Sequence, residues 1–351
     1  MLHRYQFKKI LALPALLLIV SFVGFIQIDC AAQKQSLLAL SKNDHILAIV
    51  DPITFTVIAK IPVGPDPHEV VASTDGKFAY VSNTGGGESI EINVIDLVAK
   101  KALPNIDTRP LKGPHGLTYA DGKLFFSAEG TKSVGRYDPI THKVDWSMGT
   151  GQDRTHMVYV TADEKRIYTT NVNAGTVSIL VDTLLAPGAG PMGPPPGAQP
   201  HRSWMHTVIP VSKGSEGFDV TPDGKQLWTV AADDGTIAII NLTTKKLSGT
   251  INAKILGANR LKFTPDGKRV LISSLRTGDL YIYDAVNQKE LKRINLGHGG
   301  AGIEIEPNGA RAFIGCTPDN YVAVIDLKTL EVIAHINIGG GPDGLAWAIE
   351  Q

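Results

Sequence analysis

The sequence predicts an all-β protein: a seven-bladed β-propeller of four-stranded antiparallel blades, its ring closed by a blade shared between the N- and C-terminal segments. Three observations carry that expectation. A motif of about 42 residues recurs along the chain, the stretches inside it are short and alternate apolar with polar residues, and Gly (36) and Pro (21) are abundant among the 351 residues. Such a composition suits many tight turns better than long helices.

Each copy reads as a glycine, a few variable residues, an alternating stretch, a turn of the Pro-Asp-Gly-Lys type and a second alternating stretch. Clear copies are Gly214–Trp228 (GSEGFDVTPDGKQLW), Gly257–Leu271 (GANRLKFTPDGKRVL) and Gly299–Phe313 (GGAGIEIEPNGARAF), with degenerate ones at 66–80, 113–126 and 154–168. One register aligns His68, His115, His156, Glu216, Asn259, Ala301 and Asp343, separated by 47, 41, 60, 43, 42 and 42 residues. Four strands fit each period, and the Asp-Gly pairs at 75–76, 223–224 and 266–267, with Asn308-Gly309, supply the positive φ of a tight hairpin. Four antiparallel strands per period make a propeller blade, because a blade must stack both faces on neighbours to bury them. A solenoid is the alternative architecture.

Closure is read from the chain ends. The seventh copy, at 341–349, has only an innermost strand, and the missing three lie at 37–40, 46–50 and 57–63. A blade built from both ends leaves no open edge and no uncovered face. The 36–351 segment is thus one propeller. The 60-residue spacing marks an insertion at 186–200, with six prolines and four glycines, between the third and fourth strands of its blade. Strand direction puts it on the face opposite the aligned residues.

Ahead of the propeller, Arg4, Lys8 and Lys9 precede an uncharged run over 10–26, so residues 1–32 read as a signal peptide with small Cys30 and Ala32 before the cut. An uncleaved membrane anchor is the alternative; lipidation of Cys30 is disfavoured by Asp29. A periplasmic or secreted location follows from cleavage, and membrane attachment only from retention. Cleavage also leaves Cys316 as the sole cysteine, in an apolar strand where a buried inert thiol is expected, so no disulfide staples the fold. Thirty-four basic side chains balance 34 acidic ones, and no basic field exists to draw nucleic acid.

Tyr80-Val81-Ser82-Asn83 and Tyr168-Thr169-Thr170-Asn171, with Val94-Ile95-Asp96 and Val324-Ile325-Asp326 downstream, resemble the repeat of the YVTN β-propeller family over residues 36–351. Phe126-Ser127-Ala128 and Leu271-Ile272-Ser273 depart from that string. The resemblance implies a seven-bladed propeller of the cell envelope or periplasm, related in architecture to quinoprotein and haem d1 propellers. No haem or quinone residue carries over.

Three of the ten histidines fall at the seven aligned positions, at the start of innermost strands that line the axial channel. His68, His115, His156 and Glu216 form the expected metal set, suited to Zn, Cu, Fe or Mn. Glu216 is the candidate catalytic base. Arg154 and Arg260 could orient a carboxylate or phosphate, with Asn259 and Asp343 completing the ligand-binding set. The competing structural reading is that duplicated repeats inherit residues together and each imidazole merely bonds a nearby turn. Asn83, Glu129, Asn171, Asn173, Asp233, Asp234 and Arg276 fall on the same face and read as ordinary turn residues.

A Gly-x-Ser-x-Gly elbow, a phosphate-binding loop, a dinucleotide fingerprint and a Cys-x-x-Cys-His haem site are all absent from the sequence. Two function classes remain: a metal-assisted hydrolase or lyase acting on a small molecule at the channel mouth, and a non-catalytic cell-envelope module that binds a protein or glycan partner.

Overall fold

The computed structural model describes residues 33–188, 194 and 196–351, together with Met1. The expected signal segment, apart from Met1, lies outside the described residues, as do 189–193 and 195 of the insertion. Among the described residues no helix is long and apolar enough to cross a membrane.

Twenty-eight strands form seven four-stranded sheets, and the only helical pieces among the described residues are three single 3-10 turns. Blade 1 spans 67–107, blade 2 114–149, blade 3 155–210, blade 4 215–252, blade 5 258–295 and blade 6 303–336. Blade 7 pairs Pro342–Ile349 with Gln35–Ser41, Ile46–Val50 and Val57–Pro62. In that latch the two ends of the propeller run antiparallel, with Leu37 opposite Trp347 and Leu38 opposite Ala346.

The circle is complete. Each innermost strand packs on the next, and Pro342–Ile349 lies against both Pro67–Ala72 of blade 1 and Ile303–Ile305 of blade 6. Seven apolar clusters fill the seven blade-to-blade seams; Leu38, Leu40, Val70, Val81 and Ala346, for example, join blade 7 to blade 1. A fully buried side chain of this size contributes about 1.5–3 kcal/mol, so a ring without disulfides can rest on its seams. Cys316 is the buried free thiol expected, and burial pushes its pKa up to about 12.

The hairpin glycines work as their sequence suggests: Gly76, Gly224, Gly267 and Gly309 have φ of 68°, 70°, 68° and 72°, a region closed to most side chains. The insertion rises from the longest hairpin of the ring, Thr176–Leu185 paired along its length with His201–Pro210.

Candidate functional site

All seven aligned positions, His68, His115, His156, Glu216, Asn259, Ala301 and Asp343, line one cavity of about 220 Å³ at the mouth of the channel, joined by Lys42, Arg154, Arg260, Leu275 and Thr317. Four of their backbones are tied from the neighbouring blade. Ser82 Oγ donates to the His115 carbonyl (2.6 Å), Ser127 Oγ to that of His156, Thr170 Oγ1 to that of Glu216 (2.6 Å) and Ser273 Oγ to that of Ala301 (2.6 Å). These hydroxyls hold equivalent places in the second strands, two of them within the Tyr-Val-Ser-Asn and Tyr-Thr-Thr-Asn strings. At four of the seven seams the repeat thus fixes an aligned residue by stitching one blade to the next.

The three imidazoles form a row. Ring centroids of His68 and His115 are 4.7 Å apart, and those of His115 and His156 are 3.9 Å apart. His115 and His156 are each 2% exposed. Burial, reinforced by the neighbouring imidazoles His156 and His68, holds the His115 pKa well below its ordinary value. Burial and then Lys42 lower that of His68 to about 4. Two buried nitrogens, His115 Nδ1 and His156 Nε2, find no hydrogen-bond partner.

Glu129, in the 3-10 turn Glu129–Thr131 after the second strand of blade 2, closes the row. Its Oε1 lies 2.5 Å from His156 Nδ1 and 3.3 Å from Arg154 Nε. Burial opposes ionisation of Glu129, but the His156 bond and the charges of His156 and Arg154 outweigh it and keep its pKa low. One donor atom from each of His115, Glu129 and His156 falls within 4.8 Å of the other two. A carboxylate that fixes one imidazole nitrogen presents the other to a ligand.

Glu216 stands apart from this group. Asn259 Nδ2 donates to its Oε2 (2.7 Å), and Arg154 Nη2 lies 3.4 Å from its Oε1. Arg260 is buried, bonds to Asn259 Oδ1 (3.2 Å) and pairs with Glu69. Asp343, pushed up to about 6 by burial against the pull of Arg260 and Lys42, lies 3.5 Å from Lys42 Nζ. Lys42, from blade 7, also sits 2.7 Å from His68 Nε2 and 3.3 Å from Asp66 Oδ1. Deeper in the channel, a second cavity of about 340 Å³ holds the Lys262–Glu304 pair (3.6 Å) and Asp219.

Sequence reasoning did not single out Lys42 or Asp66, and it placed Glu129 with ordinary turn residues. The available signal for Glu129 was its position directly after Phe126-Ser127-Ala128, on the mouth side of a histidine blade. Other turn residues do stay structural: Asn83 Nδ2 donates to Asn93 Oδ1 (2.8 Å), and Asn171 Nδ2 to Ser178 Oγ (3.0 Å).

No protein-family model matches the chain, and no curated protein matches it. Solved structures do. Hydrazine synthase of Kuenenia stuttgartiensis aligns with a TM-score of 0.65 at 16% identity, over 80% of this chain and 89% of that one. A 6-phosphogluconolactonase-like propeller from Bacteroides uniformis aligns at 0.70 and 15%, over 90% and 99%. A protein of unknown function from Desulfotomaculum acetoxidans aligns at 0.68 and 12%, over 90% and 98%. At such identities the likeness establishes the seven-bladed fold alone, and membership of the YVTN repeat family is not shown by it.

Proposed function

We propose that the channel mouth binds a transition metal ion through His115, His156 and Glu129, and uses it to act on a small anionic substrate as a metal-assisted hydrolase or lyase. The observation that carries this reading is the pair of partnerless buried nitrogens on His115 and His156. Leaving such atoms unsatisfied costs about 1–3 kcal/mol each, and burial, by disfavouring the protonated form of His115, favours the ligating form of that ring. With one Glu129 oxygen on His156 Nδ1, the ring is oriented and its Nε2 is presented to the ion. Hard-to-soft borderline ions such as Zn, Cu, Fe or Mn suit this donor set.

The charge balance points the same way. Histidines aside, the carboxylates Asp66, Glu69, Glu129, Glu216 and Asp343 outnumber the basic Lys42, Arg154 and Arg260 around the mouth. A bound dication cancels that excess of two and so removes the barrier to an approaching anion. The ion would polarise a substrate oxygen or acidify a proton beside it. Arg154, partly exposed at the rim, engages the anionic group, and Glu216, held by Asn259, takes up the proton. His68, next in the row, extends the site toward Lys42 and Asp343. We also read residues 1–32 as an export signal, so that this chemistry takes place in the periplasm or outside the cell.

Lactone opening is the first reaction to try, because a 6-phosphogluconolactonase-like propeller shares the fold and the mouth offers cations for a phosphate or carboxylate. Hydrolysis of a phosphorylated sugar lactone should depend on added Zn or Mn and disappear in Glu216→Gln. Turnover no faster than buffer with every metal would remove the lactone assignment.

A further inference from the structure

A cavity of about 1060 Å³ lies apart from the histidine row. It opens where the turns between first and second strands emerge, on the face away from the mouth, in the seam between blades 1 and 2 and beside the innermost strand of blade 3. Its walls are aromatic: Tyr80, Tyr119, Tyr137 and Tyr159, with Phe78. Tyr80 and Tyr119 lie nearly parallel, 5.6 Å between centroids and 14° between planes. Other seams are filled by large rings, as Trp228 against Phe263 and Phe313 against Trp347. Here the rings stand around open space.

Two further features point to an occupant. The Tyr159 hydroxyl has no hydrogen-bond partner among the described residues, while the hydroxyls of Tyr80 and Tyr119 meet each other and that of Tyr137 meets His142 Nδ1 at 3.1 Å. The charged residues lining the cavity are also one-sided. Asp75 and Asp121 line it, whereas no lysine or arginine does. Lys77 meets Asp75 from the solvent side at 3.5 Å, an exposed pair of little strength. Tyrosine faces carry negative quadrupole charge, and with carboxylates at the rim they attract a positive ligand whose body is apolar. A volume of this size holds an ordinary small molecule.

We propose that this pocket binds a small organic cation, an alkylated ammonium carried on an apolar body, on the face opposite the metal site. The inference stands on the aromatic walls and the one-sided charge, and is independent of the proposed metal chemistry.

The test is a titration of the full chain with choline, with its neutral isostere 3,3-dimethylbutan-1-ol and with maltose, followed by ligand-observed NMR. Choline should bind saturably, at least five times more tightly than the isostere. Tyr119→Ala should weaken choline binding at least tenfold and Tyr119→Phe far less. Asp121→Asn, at an exposed hairpin tip where folding is not at stake, should weaken it about threefold and decides the matter if Tyr119→Ala fails to fold. Absence of saturable choline binding, equal binding of the isostere, indifference to both substitutions, or saturable maltose binding in place of choline would each overturn the proposal.

Discussion

His115 and His156 come from different blades, 41 residues apart in sequence, and their rings lie 3.9 Å apart, each with one buried nitrogen unpartnered. Burial disfavours the protonated form of His115, and the imidazole of His156 beside it adds to that effect. The same conditions that make the pair costly to bury leave it ready to share a cation.

Glu129 should matter to metal affinity as much as a histidine does. Glu129→Gln keeps the shape of the side chain but removes the charge, leaving a weaker, neutral amide oxygen to orient His156. The expected loss is about 10- to 100-fold in affinity, read by competition with a chromophoric chelator. An unchanged affinity would leave His156 unsupported as a ligand.

Ser127→Ala tests the stitching. The hydroxyl bonds the His156 carbonyl and accepts from the Gly116 amide (2.8 Å), both buried. Its removal leaves those backbone groups unsatisfied and should cost about 1–3 kcal/mol in urea unfolding, with weaker metal binding as a second effect. A change under a few tenths would show that the blades do not depend on it.

Ring closure makes blade 7 a structural equal of the rest. Leu38→Ala, at the seam with blade 1, and Leu271→Ala, at the seam of blades 5 and 6, should each cost about 2–5 kcal/mol and leave a single unfolding transition. A separate early transition in Leu38→Ala alone would mean that the latch opens by itself.

The repeated hairpins set an acid limit. Asp75, Asp163, Asp223 and Asp266 each accept first from a Ser or Thr hydroxyl, of Ser73, Thr161, Thr221 and Thr264, and then from a backbone amide, and each pKa is lowered from 3.8. A depressed folded pKa stabilises the protein above the unfolded value and loses that contribution as pH falls through the folded one. Thermal stability should therefore fall below about pH 4, and Asp163→Asn with Asp223→Asn should flatten the slope there. An unaltered slope would place the acid sensitivity elsewhere.

The fold was legible because its signals are local and repeated. Asp-Gly turns at a fixed offset define the hairpins, and the lone innermost strand at 341–349 has its three partners only near residues 37–63. The convergence of His68, His115 and His156 was legible for the same reason, since equal register in a ring means equal distance from the axis. Glu129, Lys42 and Asp66 were not, because they reach the mouth from turns whose side-chain directions no repeat dictates. Glu216 shows the reverse limit: register brings it to the cavity, but only Arg154 and Asn259, side chains of other strands, decide where its carboxylate points.

The most direct test of the account is the metal content of the propeller purified without chelator, by plasma mass spectrometry, beside His115→Ala. About one equivalent of a transition metal is expected in the parent, with most of it lost in the variant while the fold is retained. Metal absent from both after incubation with Zn, Cu, Fe and Mn, or bound equally by both, would contradict a metal centre at the channel mouth.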